Sequence, residues 1–458
     1  MGSKALALCV CRNVFCRLPR CSNAAASWGV AQEVLFRNPT KMNLYREKYC
    51  QQKTAYCTAT APKDTVLDSV SVEPSARIVA LQWKDGKEDR YNSTWLRYNC
   101  HCDQCKQPHS GQITINPLSM PALVTIKSVS REGADLCLVW NEDPDHTGRI
   151  PLKMLRENSY SKEAIEQRAQ SVKTSRKWDK IPEVTYDEVN ANDRGLLRWL
   201  SALVDEGICL VKEVPTQLGT VKQVAEKIFP LQQTIYEEVF DVISNPEPIN
   251  VAYSSSFLDF HMDLMYYESP PGLQFLHCVR FDPEVTGGES IFLDCFVVAE
   301  EFREQYPEDF ETLARVPATF QKIHFEREYP VYMTYQRPHI ALNHRREIVA
   351  VNWSPNFEGP LFVPEEDVEP YYKAYHRFMS MLCNSPHIIE RHLNPGDLIV
   401  FNNRRVLHGR KAFELNGGMR HLQGCYVNID EFKKKFQVLS CTVGDGRPAK
   451  RVGNHDFF

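Results

Sequence analysis

No apolar run in the 458-residue chain approaches the roughly 20 residues a bilayer-spanning helix needs, so no membrane-crossing segment is expected. A basic excess is missing too. The 54 Lys and Arg stand against 58 Asp and Glu, for a net charge of −4, which argues against a nucleic-acid binder. Internal repeats and low-complexity tracts are absent, which excludes a solenoid or a repetitive linker. The 16 Cys fall far short of disulfide-scaffold density, and six of them crowd into the first 60 residues without regular spacing. A reducing compartment with free and metal-bound thiols is expected instead. Acidic residues are missing from positions 1–32, where Lys4, Arg12, Arg17 and Arg20 carry all the charge. That bias predicts a mitochondrial transit peptide. The alternative is an untargeted extension, with translation starting at Met42 and a cytoplasmic protein.

What is present is ordinary for a soluble globular protein: 43% apolar, 24% charged and 11% aromatic residues, in a chain long enough for two domains. Residues 1–65 read as transit peptide and linker. Residues 74–160 read as a small β-rich unit, with strand pairs around Asp85-Gly86 in "ARIVALQWKDGKEDRY" and Glu132-Gly133 in "ALVTIKSVSREGADLCLVWNED". A polar helical linker is expected over 161–180. Residues 185–437 alternate many short strands with a few helices, including two inserted at about 297–314 and 366–384. The expected fold is mainly β with inserted helices, a sandwich or jelly roll. Residues 438–458 carry no signal.

Two constellations carry chemistry. In "FHMDLMYY", His261 and Asp263 alternate, so on a strand they would face one side. Far along, "NPGDLIVFNNRRVLHGR" gives a tight turn, a strand and then His408, and Arg420 follows twelve residues later. Two His and one carboxylate on one face are what a non-haem Fe(II) centre with open positions requires. An Arg supplies the bidentate donor a dicarboxylate co-substrate needs. Thr286, in "VTGGES", turns with its glycines and offers a hydroxyl to a carboxylate. The second constellation is "WLRYNCHCDQC": Cys100, Cys102 and Cys105 call for one more ligand to close a tetrahedral structural zinc site. His101 and His109 are too local, and His146 is the better candidate.

Together "WLRYNCHCDQC", "VAYSSSFLDFHMD", "PPGLQFLHC", "TGGES", "NPGDLIVFNNRRVLHGR" and "RHLQGCY" resemble the γ-butyrobetaine dioxygenase family, which includes trimethyllysine dioxygenase. The resemblance runs in order over about residues 75–437. It implies a zinc-binding domain followed by a double-stranded β-helix domain, and Fe(II)- and 2-oxoglutarate-dependent hydroxylation in carnitine biosynthesis, with O2 as oxidant and ascorbate as reductant. By that resemblance His261, Asp263 and His408 match the iron ligands, Arg420 and Thr286 the 2-oxoglutarate contacts, and Cys100, Cys102, Cys105 and His146 the zinc ligands. Tyr236, Phe240, Tyr253 and Tyr426 match an aromatic cage for a trimethylammonium group, and Asn250 a contact to the substrate carboxylate. A homodimer is implied as well. The chain departs from the family pattern at Phe240, where butyrobetaine enzymes carry Trp, and at Ser354, where an Asn is expected.

The resulting expectation is hydroxylation of γ-butyrobetaine to L-carnitine. Trimethyllysine or another betaine is the alternative substrate. A pseudoenzyme built for protein contacts is the rival from another class, and the intact His/Asp/His set with its Arg argues against it.

Overall fold

Two hairpins, each closed by a glycine at positive φ (Gly86 at 85°, Gly133 at 62°), organise the N-terminal part of the chain. The structure, a computed structural model, describes residues 66–169, 178–244, 254–449 and 452. The expected transit peptide over residues 1–65 and the expected substrate contacts Asn250 and Tyr253 lie outside those residues. The chain divides after Glu157 into two units.

The first unit holds two three-stranded antiparallel sheets. One is β1 (Leu67–Val72), β2 (Ile78–Trp83) and β3 (Glu88–Asn92); the other is β4 (Ile126–Glu132), β5 (Asp135–Trp140) and β6 (Thr147–Pro151). The pairs β2–β3 and β4–β5 are the two expected hairpins. Strands β1 and β6 were not expected: β1 starts ahead of residue 74 and, like β6, exposes most of every second position. Helix α1 (Ser93–Tyr98) begins at Asn92, whose side chain accepts from the Thr94 amide, and delivers the chain to Cys100.

In the second unit a six-stranded sheet runs in the order β7 (Glu183–Thr185), β8 (Ile208–Lys212), β19 (Leu398–Asn402), β11 (Leu273–Phe281), β22 (Arg420–Val427), β9 (Val239–Ile243). A four-stranded sheet runs β10 (Leu258–His261), β20 (Val406–Arg410), β13 (Ser290–Asp294), β18 (Ile389–Arg391). Short pairs β12 (Thr286–Gly287) with β21 (Phe413–Glu414), β14 (Pro317–His324) with β15 (Val331–Pro338), and β16 (Ile340–Leu342) with β17 (Ile348–Val351) decorate them. Strands β11 and β19 are buried nearly end to end, which their apolar runs LQFLHC and LIVF require of interior strands.

The sheets pack face to face. Phe401 on β19 lies 5.7 Å from Phe292 on β13, within one apolar cluster that draws on both. The outer face of the large sheet is covered by α2 (Asp193–Asp205), whose Leu196, Trp199, Leu200 and Leu203 form one helical stripe, and by α6 (Ile429–Val443). Helix α6 runs across the boundary expected at residue 437. The small sheet is backed by α3 (Cys295–Gln305), α4 (Pro307–Arg315) and α5 (Glu365–Cys383). The single helix expected over 297–314 is thus two, because Pro307 starts a new one at its first turn.

Candidate active site

Period-two alternation aims one face of each strand into the gap between the sheets. On β20 that face presents His408 and Arg410; on β22, Arg420, Leu422 and Tyr426; on β11, Gln274 and Leu276; on β9, Phe240 and Val242. They line a cavity between the sheets that opens to solvent. Gly424 also faces inward, directly opposite Phe240, and a Cβ there would meet the Phe240 ring at 2.3 Å. The glycine is what lets that ring lie across the sheet.

At one end three donors converge. His261 ends β10 directly opposite His408 on β20, and their rings are 4.2 Å apart. Asp263 sits just past the strand, its Oδ1 3.4 Å from His261 Nε2 and 4.0 Å from His408 Nε2. All three ligand atoms lie within 4.8 Å of one another. His261 Nδ1 lies 2.9 Å from the Asp259 carbonyl, which leaves Nε2 as the ring atom that faces Asp263. Burial alone would lower this imidazole, and the contact with the Asp263 carboxylate outweighs it and raises its hold on a proton. Burial alone would raise the Asp263 carboxyl. The His261 contact, the two imidazoles and the Tyr426 hydroxyl outweigh it and hold the group well below the usual carboxylate range. Burial, with His261 adding to it, pushes His408 down to about 3, so that ring is neutral. An anionic oxygen beside a neutral imidazole is a donor set suited to a divalent cation.

At the other end lie two buried guanidiniums. Arg420 is 3% exposed; among the described residues its Nε has no hydrogen-bond partner, and the polar contact its guanidinium makes is a 3.5 Å reach to the Gly288 carbonyl. Burial pushes it down to about 10. The rings of Phe281 and Phe413 flank it. Gly288 stands against it at φ 79°, where a Cβ would come 3.3 Å from Arg420 Nε. Such a desolvated cation is prepared for an anion. Arg410 donates to the carbonyls of Ser254 and Ser256 and so ties the chain ahead of β10 to this wall.

Thr286 does not join this group. The positive-φ glycines that follow turn the chain so that Thr286 is exposed on β12, with its hydroxyl accepting from Asn416. The hydroxyl-bearing residue of this segment on the cavity wall is Ser290, four residues on, which is 5% exposed. Motif reading missed Ser290, Arg410 and Gln274; for the last, its place as a polar residue in the run LQFL, alternating with Leu276, was the available signal. The expected cage residues Tyr236, Phe240 and Tyr426 do come together. Phe240 stacks on Tyr426 at 5.1 Å and lies 6.2 Å from Tyr236, and Tyr266 and Phe357 extend the wall. Ser354, noted as a departure in the sequence, is fully buried, its hydroxyl has no partner among the described residues, and it is not among the lining residues.

In the first unit, His146 Nε2 lies 3.4, 3.7 and 3.6 Å from the sulfurs of Cys100, Cys102 and Cys105. Bond lengths of about 2.3 Å to sulfur and 2.0–2.1 Å to nitrogen at tetrahedral angles would separate them by about 3.5 Å, so the set fits zinc. Arg97, paired with Asp143, donates to Cys105 Sγ, and the Arg149 amide donates to Cys100 Sγ. Gly148 is open for Trp140, which stacks on His146.

The model of the taurine catabolism dioxygenase TauD, TfdA family matches residues 169–426, more than half the chain. The chain belongs to that family and is a 2-oxoglutarate-dependent dioxygenase, with the Fe(II) dependence that goes with it. Ahead of that match, residues 70–150 match the γ-butyrobetaine hydroxylase-like N-terminal model. The γ-butyrobetaine dioxygenase of Pseudomonas sp. (strain AK-1) is 31% identical over 364 residues, covering 79% of this chain and 93% of that protein. The human γ-butyrobetaine dioxygenase is 27% identical over 379 residues (81% and 96%). The trimethyllysine dioxygenase of Meyerozyma guilliermondii is 26% identical over 384 residues (79% and 93%).

Proposed function

We propose that this dioxygenase hydroxylates γ-butyrobetaine to L-carnitine, with trimethyllysine as the second candidate substrate. The observation that carries the reading is the wall of Tyr236, Phe240, Tyr266, Phe357 and Tyr426 beside the His/Asp/His cluster. A trimethylammonium group has no N–H to donate, so π faces and dispersion are what hold it. Trimethyllysine would bring a second cation, its α-ammonium. Among the described lining residues the one carboxylate is Asp263, which the metal would occupy. This favours a substrate with a single cation.

In this reading His261, Asp263 and His408 hold Fe(II), which with 2-oxoglutarate and O2 supplies the oxidising chemistry an unactivated C–H bond needs. Arg420 grips the far carboxylate of 2-oxoglutarate, and Ser290 rather than Thr286 supplies the hydroxyl on that wall. The aromatic wall binds the cation and so fixes which carbon lies near the metal. Cys100, Cys102, Cys105 and His146 hold a structural zinc. The acid-poor N-terminus supports a mitochondrial location, which is also that of the bovine mitochondrial trimethyllysine dioxygenase, 27% identical to this chain.

The test is incubation of purified protein with Fe(II), 2-oxoglutarate and, separately, γ-butyrobetaine, trimethyllysine and the neutral tert-butyl isostere of γ-butyrobetaine, with products identified by mass. A higher kcat/KM for γ-butyrobetaine is expected, and a preference for trimethyllysine would overturn the substrate. Tyr236→Leu should weaken the trimethylammonium ligand by about 1–2 kcal/mol and the isostere much less. Equal losses would make the wall mere packing.

A further inference from the structure

The two oxygens of Asp263 have different surroundings. Oδ1 faces the imidazoles of His261 and His408. Oδ2 accepts two hydrogen bonds, from Gln274 Nε2 at 2.7 Å and from the Tyr426 hydroxyl at 2.7 Å. The donors are direct cross-strand partners in the β11–β22 register, and both residues are 1% exposed. Asn403 fixes the backbone of Asp263 from both sides: its Oδ1 accepts from the Asp263 amide at 2.9 Å, and its Nδ2 donates to the Asp263 carbonyl at 2.8 Å. The main chain from which the carboxylate projects is therefore fixed. Gln274 Nε2 also lies 3.4 Å from His408 Nε2, and among the described residues Gln274 Oε1 has no partner, so the metal-site groups Asp263 and His408 set which way that amide points.

We propose that Gln274 and Tyr426 are positioning residues that restrict Asp263 to binding metal through Oδ1 alone. The inference rests on reading His261, Asp263 and His408 as the metal site. A carboxylate bound through both oxygens takes two of six positions. With two imidazoles that leaves two open, where one-oxygen binding leaves the three that the open facial arrangement provides. Two charge-assisted donors on Oδ2 hold that oxygen away from the ion, because swinging it inward would abandon both bonds in a buried place. Tyr426 also stacks on Phe240, so one side chain touches both the iron ligand and the substrate wall.

The experiment uses the full-length, zinc-loaded chain and Mn(II), an ion that favours carboxylate and imidazole over thiolate and so leaves the cysteine cluster alone. Binding and the spectrum of the bound ion are both read by electron paramagnetic resonance. Gln274→Met and Tyr426→Phe should each bind Mn(II) roughly 10- to 100-fold more weakly than wild type. Their bound-ion spectra should differ from that of wild type, a change that a loss of stability alone does not produce. Wild-type spectra in both variants would overturn the proposal, whatever the affinity, because the donors would then only support the fold. If Gln274→Met does not fold, Tyr426→Phe decides alone, since it keeps the ring. Asp263→Ala tests the underlying reading separately: Mn(II) binding that survives it overturns the metal site itself.

Discussion

Arg420 shows at the scale of one residue how a cavity prepares for an anion. Its guanidinium is withdrawn from water between Phe281 and Phe413, and burial has already lowered its hold on the proton. Removing it should leave a bound dicarboxylate unpaired. Arg420→Ala is expected to raise the 2-oxoglutarate requirement by the equivalent of about 2–5 kcal/mol while changing the substrate requirement far less. Arg420→Lys should recover only part of this, because a point charge does not reproduce the planar fork. Separate KM values for 2-oxoglutarate and substrate check both, and equal effects on the two would move Arg420 out of the co-substrate site. The sequence made Arg420 legible by its distance from His408. It left Ser290 illegible, because which of several polar residues near a turn faces a cavity depends on glycine dihedrals and strand register that no short motif records, and it marked Gln274 only as a polar position within the apolar run LQFL.

At the scale of elements, hairpins announced by a turn glycine were legible, whereas edge strands and helix ends were not. Strand β6 offers only TGRIP, too short to show its period, yet its Arg149 amide and Gly148 help to build the cysteine cluster. The Cys-x-Cys-x2-Cys spacing was readable from sequence, and the fourth ligand was only preferred, since His146 lies 41 residues past Cys105 and is brought back to it by the β4–β5 hairpin. A closed four-ligand site contributes folding energy directly. Cys102→Ser should therefore lower soluble yield and bring zinc content well below the one per chain that the ligand set implies. It should also change the fluorescence of Trp140, which is stacked on His146 at 5.9 Å. A zinc-free variant with wild-type fluorescence and stability would refute the structural role.

Over the whole molecule, acid should act on imidazoles buried without charge. His277 and His339 are fully buried, and burial pushes each down to about 4. His339 is held between the Asn352 carbonyl and the Tyr371 hydroxyl. Their unfolded values lie near 6.5, so below that pH the unfolded chain binds more protons than the folded one. Stability should be full above about pH 6.5 and fall as the pH drops toward 4, by on the order of 2–4 kcal/mol between pH 6.5 and 5. Denaturant midpoints at the two pH values measure it. His277→Asn should flatten the dependence, and an unchanged slope would remove that ring from the account. The pairing of β10 with β20 has a consequence of another kind. Strand β10 is an edge strand, with an irregularity between its Leu258–Arg410 and His261–His408 pairs. A slip of one residue would turn His261 to the opposite face. An ion bridging the last pair then works as a checksum on assembly: ligands 147 positions apart in the chain meet only if everything between has folded in register. Bound iron per mole of protein would count correctly built molecules, and slipped ones would leave synthesis unloaded, with a bare strand edge open to other chains.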